Sequence, residues 1–313
     1  MSKQAAAFLD YIQNRSGKIV ILTHQNADFD AIGSALSLTT LLNQNGFNSV
    51  IFYPDALAES MQFLAGLSDI VTICPPLGES DTLIALDCSN PSRIAGYSAL
   101  LGPIHINIDH HSDNPSFGQF NIVESISSVG ELLFTIFNQL NWQISRSVAN
   151  ALYAAIIFDT GLFQHDTVSS QTFRIAATLK DLGADTHQVS QAIFASKPFA
   201  YFVDLKESLK HLTFLEKERI SYTICDQKSL ESAGDIMTLL QTQKESDIFL
   251  VFKEESAVLT RVSLRSNSTF NVAAFAKKFG GGGHPQAAGL SISDCITNSV
   301  PLVLNSLIQE KSK

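Results

Sequence analysis

The sequence predicts an α/β protein with a mostly parallel N-terminal sheet flanked by helices and a smaller C-terminal α/β domain. Three observations support this prediction. Short apolar runs alternate with helical patterns through the first half of the chain, as they do in repeated βαβ units. Several of these runs end in Asp or His. A second region rich in strand patterns follows residue 214, and 313 residues are enough for two domains.

The strands of the first domain are predicted from short apolar runs that turn residues bound. Pro54, for example, closes the second run. Because these runs alternate with helical patterns, they indicate βαβ units and a mostly parallel sheet. The predicted strands are Lys18–Thr23, Ser49–Tyr53, Ile70–Ile73, Thr82–Leu86 and Ile104–Ile108.

The helices of the first domain are predicted from apolar residues at helical spacing and from residues that stop a helix, such as Gly46 and Gly183. The N-terminal residues Met1–Ala7 are typical of the start of an amphipathic helix. Asp185–Phe214 is helical in pattern, is broken at Lys197-Pro198, and is interpreted as a connector. The other predicted helices are Asp30–Asn45, Ser128–Leu140, Ser147–Ile157 and Ser170–Leu182.

The second domain is predicted from three strand patterns, a helix, a glycine run and a closing helix at Asn298–Lys313. We therefore expect a catalytic domain at residues 1–184, a helical connector at 185–214 and a substrate-binding domain at 215–313. The predicted elements of the last domain are the strands Ile220–Cys225, Ile248–Phe252 and Ala257–Leu264 and the helix Val272–Phe279.

Composition narrows the class of protein. Hydrophobic residues make up 45% and charged residues 16%, which is the balance of an ordinary globular chain. The net charge of −9 argues against a protein that coats long nucleic acid, but it is compatible with short phosphorylated substrates. The four cysteines form no CxxC pair, and no apolar run reaches the ~18 residues of a membrane helix. We therefore expect a cytoplasmic protein with no membrane partner.

Four apolar runs each deliver Asp or His at their carboxyl ends, and such ends line the ligand crevice of an open parallel sheet. Carboxylates and imidazoles without thiolates favour Mn²⁺, Mg²⁺ or Co²⁺ over structural zinc. With about six ligands, two ions ~3.5–4 Å apart can share one bridging carboxylate. The candidate ligands are His24, Asp28, Asp30, Asp87, His110 and Asp159.

Three of the candidate ligands also have an ordinary structural explanation. Asp30 stands where an N-cap or first-turn carboxylate would stabilise the next helix. Asp87 alone could simply start a turn. Asp159 follows five apolar residues, so its carboxylate needs either a metal ion or an Arg or Lys partner. The joint pattern is more specific than its parts and favours the metal centre.

A glycine-histidine motif, GGGGHPQAAG at Gly280–Gly289, follows the last predicted helix of the sheet region. A flexible linker is the simple explanation, but a linker would not continue into His-Pro-Gln-Ala-Ala-Gly. Consecutive glycines let the backbone approach a ligand and direct N–H groups at an anion, with a histidine at the loop tip. Arg265 and Ser266, at the end of the preceding strand, can reach the same anion, although a surface charge explains Arg265 equally well. The candidate substrate contacts are Arg265, Ser266, Gly281, Gly282, Gly283 and His284.

Together these motifs resemble those of the DHH phosphoesterase superfamily. His24-x-x-x-Asp28-x-Asp30-Ala31-x-Gly33-Ser34, Asp87, Asp109-His110-His111 and Asp159 are similar to its four motifs, and Gly280–Gly289 resembles the signature of its DHHA1 domain. The resemblance spans nearly the whole chain and is greatest to the nanoRNase/pAp phosphatase branch. It implies hydrolysis of very short RNA, of linear dinucleotides such as pApA, and of the 3′-phosphate of 3′-phosphoadenosine 5′-phosphate (pAp).

The resemblance also implies roles for individual residues. His24, Asp28 and Asp87 would hold one metal, and Asp30, Asp87, His110 and Asp159 the other, with Mn²⁺ expected first. His111 would contact the scissile phosphate, and Asp109 would orient the imidazoles. The C-terminal contacts would bind the other phosphate or the terminal nucleotide, with the active site in the cleft between domains. A homodimer is compatible with the resemblance, although no interface can be read from the sequence.

Two departures and three alternatives remain open at this point. Ala27 and Phe29 stand where many members of the family have Pro and Gly, and the larger Phe29 would reshape the loop or the substrate entrance.

A manganese-dependent pyrophosphatase is one alternative, because it shares the N-terminal motifs, but it has a different, basic C-terminal loop. A RecJ-like exonuclease fits a short acidic chain less well. A non-catalytic nucleotide sensor would be expected to have lost ligands.

Overall fold

The computed structural model describes residues 3–64, 70–99, 102–226 and 233–312. The chain divides into two compact units, Met1–Ser196 and Lys197–Lys313. The division falls at the Lys197-Pro198 break, and the three-part organisation with a separate connector at residues 185–214 stays a prediction. In the described ranges, no helix has the length and apolarity needed to cross a membrane.

A six-stranded sheet forms the centre of the first unit, and all neighbouring strands are parallel. Its strands are β1 (Ile19–Leu22), β2 (Ser49–Phe52), β3 (Ile70–Val71), β4 (Thr82–Leu86), β5 (Ile106–Asp109) and β6 (Phe120–Val123). Their order is β3-β2-β1-β4-β5-β6, so the winding direction reverses between β1 and β4. In such sheets ligands bind outside the carboxyl ends of the strands at this reversal.

Helices and short 3₁₀ segments connect these strands. The α-helices of the unit are α1 (Lys3–Gln13), α2 (Phe29–Gln44), α3 (Val129–Gln139), α4 (Arg146–Asp159), α5 (Ser170–Asp181) and α6 (Thr186–Phe194). The predicted N-terminal helix is thus present from Lys3, while Met1 and Ser2 lie outside the described residues. The 3₁₀ segments are Glu59–Leu64, Pro91–Arg93 and Tyr97–Ala99.

Alternate residues of the strands enter two different cores. Ile19 and Ile21 pack into the core that contains the helices, whereas Val20 and Leu22 pack on the opposite face of the sheet. Burial on both faces explains why the strands are apolar runs without polar alternation. Within the helical core, α2 and α4 lie very close, because a Cβ added to Gly33 would lie 2.5 Å from the carbonyl oxygen of Ala151.

The second unit contains a mixed six-stranded sheet of order β11-β12-β10-β9-β8-β7. Its strands are β7 (Thr213–Leu215), β8 (Ile220–Cys225), β9 (Ile248–Ser256), β10 (Leu259–Ser266), β11 (Gly282–His284) and β12 (Ala287–Ile292). Strands β8 and β9 are parallel, and the other neighbours are antiparallel. The helices are α7 (Phe199–Lys210), α8 (Ala233–Gln241), α9 (Val272–Lys277) and α10 (Ile296–Lys311).

The mixed α/β class and the parallel N-terminal sheet are confirmed. The structure adds five strands and helices that the sequence does not predict: β6, β7, α8 and the two strands of the hairpin, β11 and β12. Residues 213 and 214, expected at the end of a helical stretch, begin β7 instead. The expected glycine loop is largely a strand, because backbone pairing with β12 overrides the weak strand propensity of glycine.

Candidate metal centre

The candidate ligands meet at the carboxyl edge of the first sheet, next to the reversal in strand order. His24 follows β1 and Asp87 follows β4, which are the two strands on either side of the reversal. His110 follows the neighbouring strand β5. Asp159 arrives differently, because the apolar run before it is the last part of helix α4 and not a strand. Three strand ends, the start of α2 and the end of α4 therefore supply the cluster.

Asp87 lies at the centre of the cluster and points its two oxygens in different directions. Its Oδ2 lies 3.7 Å from Nε2 of His24, and its Oδ1 lies 3.4 Å from Nε2 of His110. Nε2 of His24 is also 3.7 Å from Oδ2 of Asp28. The backbone of Asp87 has φ of 53°, a left-handed conformation that non-glycine residues seldom adopt. This geometry allows one carboxylate to serve two neighbouring donor groups.

The second donor group surrounds His110. Its Nε2 lies 3.1 Å from Oδ2 of Asp159 and 3.9 Å from Oδ2 of Asp30. Ligand atoms of Asp30, His110 and Asp159 all lie within 4.8 Å of one another, as do those of His24, Asp28 and Asp87. Among the ion pairs of the described residues, the partner of Asp159 is His110, so the Arg or Lys partner weighed for Asp159 is not part of this arrangement.

Helix starts fix the two aspartates of the first motif. Asp28 is the N-cap of α2, and its Oδ1 accepts hydrogen bonds from the backbone N–H groups of Asp30 and Ala31. Asp30, considered from the sequence as a cap, instead reaches the start of another helix. Its Oδ2 accepts from Val129 N–H at 2.7 Å and its Oδ1 from Gly130 N–H at 2.9 Å. The positive end of α3 thus stabilises a fully buried carboxylate.

Backbone and carboxylate acceptors orient the histidine rings. Nδ1 of His24 lies 2.8 Å from the carbonyl oxygen of Gln25, and Nδ1 of His110 lies 3.2 Å from that of Ile126. A carbonyl oxygen only accepts, so each Nδ1 carries the proton and each Nε2 keeps its lone pair toward the carboxylates when the ring is neutral. This is the tautomer that a metal ligand requires, and it follows from these outer contacts.

His111 faces a different partner from its neighbour. Its Nδ1 donates to Oδ1 of Asp109 at 2.8 Å, and this hydrogen bond raises the pKa of His111. Asp109 is fully buried, and Asn114 Nδ2 donates to its Oδ2 at 2.5 Å. Asn114 is a residue that the sequence analysis missed. Its position before Pro115 marks a turn, which is the only local signal the sequence offers.

The electrostatics of the cluster reflect buried charges at short range. Burial alone lowers the pKa of His24, but Asp28 and Asp87 outweigh burial and raise that pKa to about 10. Asp87 and further carboxylates act in the same way on His110, whose pKa also rises to about 10. Burial raises the pKa of Asp159 to about 6 despite the nearby His110. The carboxylates around these two rings therefore favour a positive charge in the cluster.

The donor set fits divalent metal ions. Oδ1 of Asp87 is buried and has no well-aligned hydrogen-bond donor among the described residues, although it faces the rings of His110 and His111 at 3.4 and 3.7 Å. A cation would satisfy this oxygen and replace the protons on the two histidines. Oxygen and imidazole ligands without thiolate suit Mn²⁺, Mg²⁺ or Co²⁺. The residues present are thus compatible with metal binding on both sides of Asp87.

Phe29 and Ala27 have structural partners of their own. The ring of Phe29 is buried and lies 5.5 Å from that of Phe158 and 6.4 Å from that of Phe63. Phe29 therefore packs against the residue that precedes Asp159. The backbone N–H of Ala27, which a proline would lack, donates to the hydroxyl of Tyr53 at 3.2 Å.

The candidate contacts of the second unit lie at the end of β10 and in or directly before β11. Arg265 of β10 is paired with Ala287 of β12, and Ala287 is paired with His284 of β11. Residues in one row of a sheet project from the same face, so Arg265 and His284 flank a small alanine about 10 Å apart. Ser266 points to the other face, is buried, and shares hydrogen bonds with Ser268.

The glycines of the motif have unequal environments. A Cβ at Gly281 would lie 2.3 Å from the carbonyl oxygen of Gly289, and one at Gly283 would lie 2.4 Å from that of Ala287. These two glycines are required by the close approach of β12. A Cβ at Gly282 would meet nothing within 4 Å, so Gly282 is the one of the three predicted glycine contacts with open space beside it.

Each of the two units matches a known protein-family model. Residues 18–156 match the model of the DHH family, N-terminal domain, and residues 219–313 match the model of the DHHA1 domain. The computed fold is also similar to the crystal structure of an exopolyphosphatase-related protein from Bacteroides fragilis. That similarity has a TM-score of 0.87 at 21% identity and covers 100% of this chain and 99% of the other, and it concerns the fold alone.

Two curated relatives extend over most of the chain. The probable bifunctional oligoribonuclease and PAP phosphatase NrnA of Streptococcus mutans is 30% identical over 310 residues, which cover 94% of each chain. The bifunctional oligoribonuclease and PAP phosphatase NrnA of Thermus thermophilus is 29% identical over 287 residues, which cover 88% of this chain and 84% of that one. The chain therefore belongs to the DHH family and carries a C-terminal DHHA1 domain.

Proposed function

We propose that this protein is a two-metal phosphoesterase that hydrolyses short oligoribonucleotides, including linear dinucleotides such as pApA, to mononucleotides. We further propose that it removes the 3′-phosphate of pAp. The observation that carries the proposal is the division of Asp87 between two donor groups, one on each of its oxygens. The substrate class follows from the names of the relatives, which are oligoribonucleases and PAP phosphatases.

The proposed metal ligands form two groups that share Asp87. His24, Asp28 and Asp87 would hold one ion, and Asp30, Asp87, His110 and Asp159 would hold the other. Mn²⁺ is the proposed metal, with Mg²⁺ and Co²⁺ as alternatives of the same ligand preference. When bound, such ions lower the pKa of water and neutralise charge on a phosphoryl group.

His111 is the proposed catalytic contact to the scissile phosphate. Its side chain is 39% exposed, so it can reach a substrate, while its Nδ1 is held by Asp109. That hydrogen bond leaves Nε2 directed away from the carboxylate, and the raised pKa favours the doubly protonated ring. An imidazolium N–H can then donate to a phosphate oxygen and stabilise the charge that develops there. Asp109 acts by holding this ring in place.

The second unit is proposed to bind the remainder of the substrate. Arg265 is half-buried and extends from the same sheet face as His284, which suits a phosphate or a terminal nucleotide. Gly282 leaves room for a ligand to approach the backbone. Ser266, Gly281 and Gly283 support this surface. We also propose that this acidic chain acts in the cytoplasm on short substrates and does not bind long nucleic acid.

Product analysis tests the proposal directly. The purified protein with Mn²⁺ would be given pAp, a labelled RNA trimer, pApA and pyrophosphate in parallel. Mononucleotides from the trimer or pApA, with or without phosphate from pAp, would support it. Phosphate from pyrophosphate alone would move the protein to the pyrophosphatase class. No turnover despite tight binding of nucleotides would indicate a sensor.

A further inference from the structure

Glu131 is a buried carboxylate that the proposed reaction does not use. It lies in the first turn of α3 and is only 5% exposed. Its Oε2 accepts from the hydroxyl of Ser127 at 2.5 Å and from the hydroxyl of Thr172 in α5 at 2.8 Å. The ion pairs found among the described residues do not include Glu131. The buried carboxylate of Glu131 is thus stabilised by two hydroxyl groups and by the positive end of α3.

The sequence Ser128-Val129-Gly130-Glu131 is the signature of a capping box, in which the glutamate would return to the N-cap backbone. Ser128 does cap α3, since its Oγ accepts from the N–H of Glu131. The carboxylate of Glu131, however, turns to Ser127 and Thr172. Helix capping alone therefore does not account for a carboxylate in this position.

The segment that Glu131 holds is the one that orients two candidate metal ligands. The carbonyl oxygen of Ile126 accepts from Nδ1 of His110. Two residues further along, Val129 and Gly130 donate their N–H groups to the carboxylate of Asp30. Ile126–Gly130 is therefore a common support for His110 and Asp30. Both belong to the donor group that also contains Asp159.

Charge gives Glu131 an advantage over a neutral side chain in this place. Hydrogen bonds to an ionised acceptor are about twice as strong as neutral ones and more strongly directional. One carboxylate that accepts from Ser127 and Thr172 ties the loop before α3 to helix α5. Thr172 is itself fully buried and belongs to the capping box of α5, so its position is fixed. The loop consequently has a rigid anchor next to the metal centre.

We propose that Glu131 is a positioning residue of the metal centre, which acts through Ser127 on the backbone that orients His110 and Asp30. This inference rests on the proposed metal-dependent function and adds a residue outside the ligand set. Removal of a group that is hydrogen-bonded to a metal ligand lowers metal affinity about 10- to 100-fold in other metal sites, and the lower end of that range is expected for Glu131 because it acts one step further out. We expect the change in metal affinity to be measurable in the protein without substrate.

The test is Mn²⁺ affinity of the substrate-free protein, measured by the electron paramagnetic resonance signal of free Mn²⁺. Glu131→Gln keeps the shape and removes the charge, and Glu131→Ala removes the acceptor. Thr172→Val removes one donor to Glu131 and also the hydroxyl that accepts from the N–H of Ser169 in the capping box of α5. The control is Glu59→Gln, which makes the same carboxylate-to-carboxamide exchange at an exposed position of the same unit. Thermal unfolding of the chelator-treated proteins, recorded in parallel, shows which variants are folded before metal is added.

We expect affinity to fall roughly 10-fold in Glu131→Gln and Thr172→Val and further in Glu131→Ala, with Glu59→Gln unchanged. Folded variants that bind Mn²⁺ as the wild type does, with only a lower unfolding temperature, would overturn the inference. Glu131→Gln and Thr172→Val decide the matter if Glu131→Ala does not fold. Wild-type protein that binds Mn²⁺ but hydrolyses no substrate would reject the proposed function and leave this comparison of affinities valid.

Discussion

Oδ1 of Asp87 lies 3.4 Å from Nε2 of His110, yet this buried oxygen has no well-aligned hydrogen-bond donor among the described residues. The opposite oxygen of Asp87 faces His24. Folding therefore places a buried carboxylate oxygen beside imidazole rings without a well-aligned donor, which marks the position as a candidate functional site. The same position carries a left-handed backbone, which adds a local cost.

The substitution Asp87→Asn is expected to abolish most activity. It removes the negative charge that both proposed metal positions share and keeps the size of the side chain. We expect kcat/KM for a labelled RNA trimer to fall by on the order of 10²–10³-fold or more, the scale for loss of one transition-state contact. Asp181→Asn, on the exposed end of α5, is the matched control. Undiminished turnover by Asp87→Asn would contradict the shared role of this carboxylate.

The stability of the metal-free protein is expected to fall as the solution becomes alkaline. His24 and His110 have pKa values of about 10, above the ordinary 6.5, because nearby carboxylates outweigh burial. Their stabilising contribution is therefore complete below about pH 6.5 and is lost as pH rises toward 10. Thermal unfolding of chelator-treated protein across this range should show a declining midpoint. A midpoint independent of pH from 6.5 to 10 would show that these ion pairs do not stabilise the fold.

Phe29 is expected to stabilise the fold and the position of Asp159. Its buried ring contacts Phe158 and Phe63, so Phe29→Ala should lower the free energy of unfolding by about 3–5 kcal/mol. Phe29→Leu, which better conserves volume, should cost less than about 1.5 kcal/mol. Urea titrations measure both. Unchanged stability together with an altered range of products would assign Phe29 to the substrate entrance instead.

Arg265 is expected to act on substrate binding and not on metal binding. Arg265→Ala should raise KM for the trimer about 10-fold, the scale of one charge-assisted hydrogen bond, and leave kcat and Mn²⁺ affinity unchanged. The control is Arg261→Ala, on the same strand and the same face, where Arg261 pairs with Glu255. Equal KM values in the two variants would remove Arg265 from the proposed substrate contacts.

Gly282 and Gly281 should respond differently to the same substitution. Gly281→Ala should destabilise the second unit, because its Cβ would strike the backbone of Gly289. Gly282→Ala should fold normally, because its Cβ meets open space, and should raise KM by obstructing the approach of a ligand. Unfolding curves and steady-state kinetics of the two variants separate these effects. An unchanged KM in Gly282→Ala would show that the substrate does not come near this backbone.

The sequence is informative about the cluster because the parallel topology turns a linear pattern into a spatial one. The carboxyl ends of β1, β4 and β5 share one edge, so residues that follow the three runs must meet there. Asp159 fits less simply, since its position depends on the packing of α4 against α2 at Gly33. That contact needs knowledge of which helices are neighbours, and helical periodicity alone does not provide it.

The contacts that orient the candidate ligands cannot be predicted from apolar runs and helical periodicity. Asn114 and Glu131 both act from segments whose shape is set by turns and by side-chain hydrogen bonds. Glu131 even carries a familiar local signature, but tertiary partners redirect its carboxylate. The hairpin of β11 and β12 is similar, because pairing between strands overrides the weak local preference of a glycine run.

The ligand set of the candidate centre ends at Asp159, and the first compact unit ends at Ser196. During synthesis, every candidate ligand has therefore left the ribosome while the second unit is still being translated. A nascent chain of that length already contains the whole set of carboxylates and imidazoles. The order of the candidate ligands along the chain thus means that the proposed metal-binding set is complete before the DHHA1 domain has been synthesised.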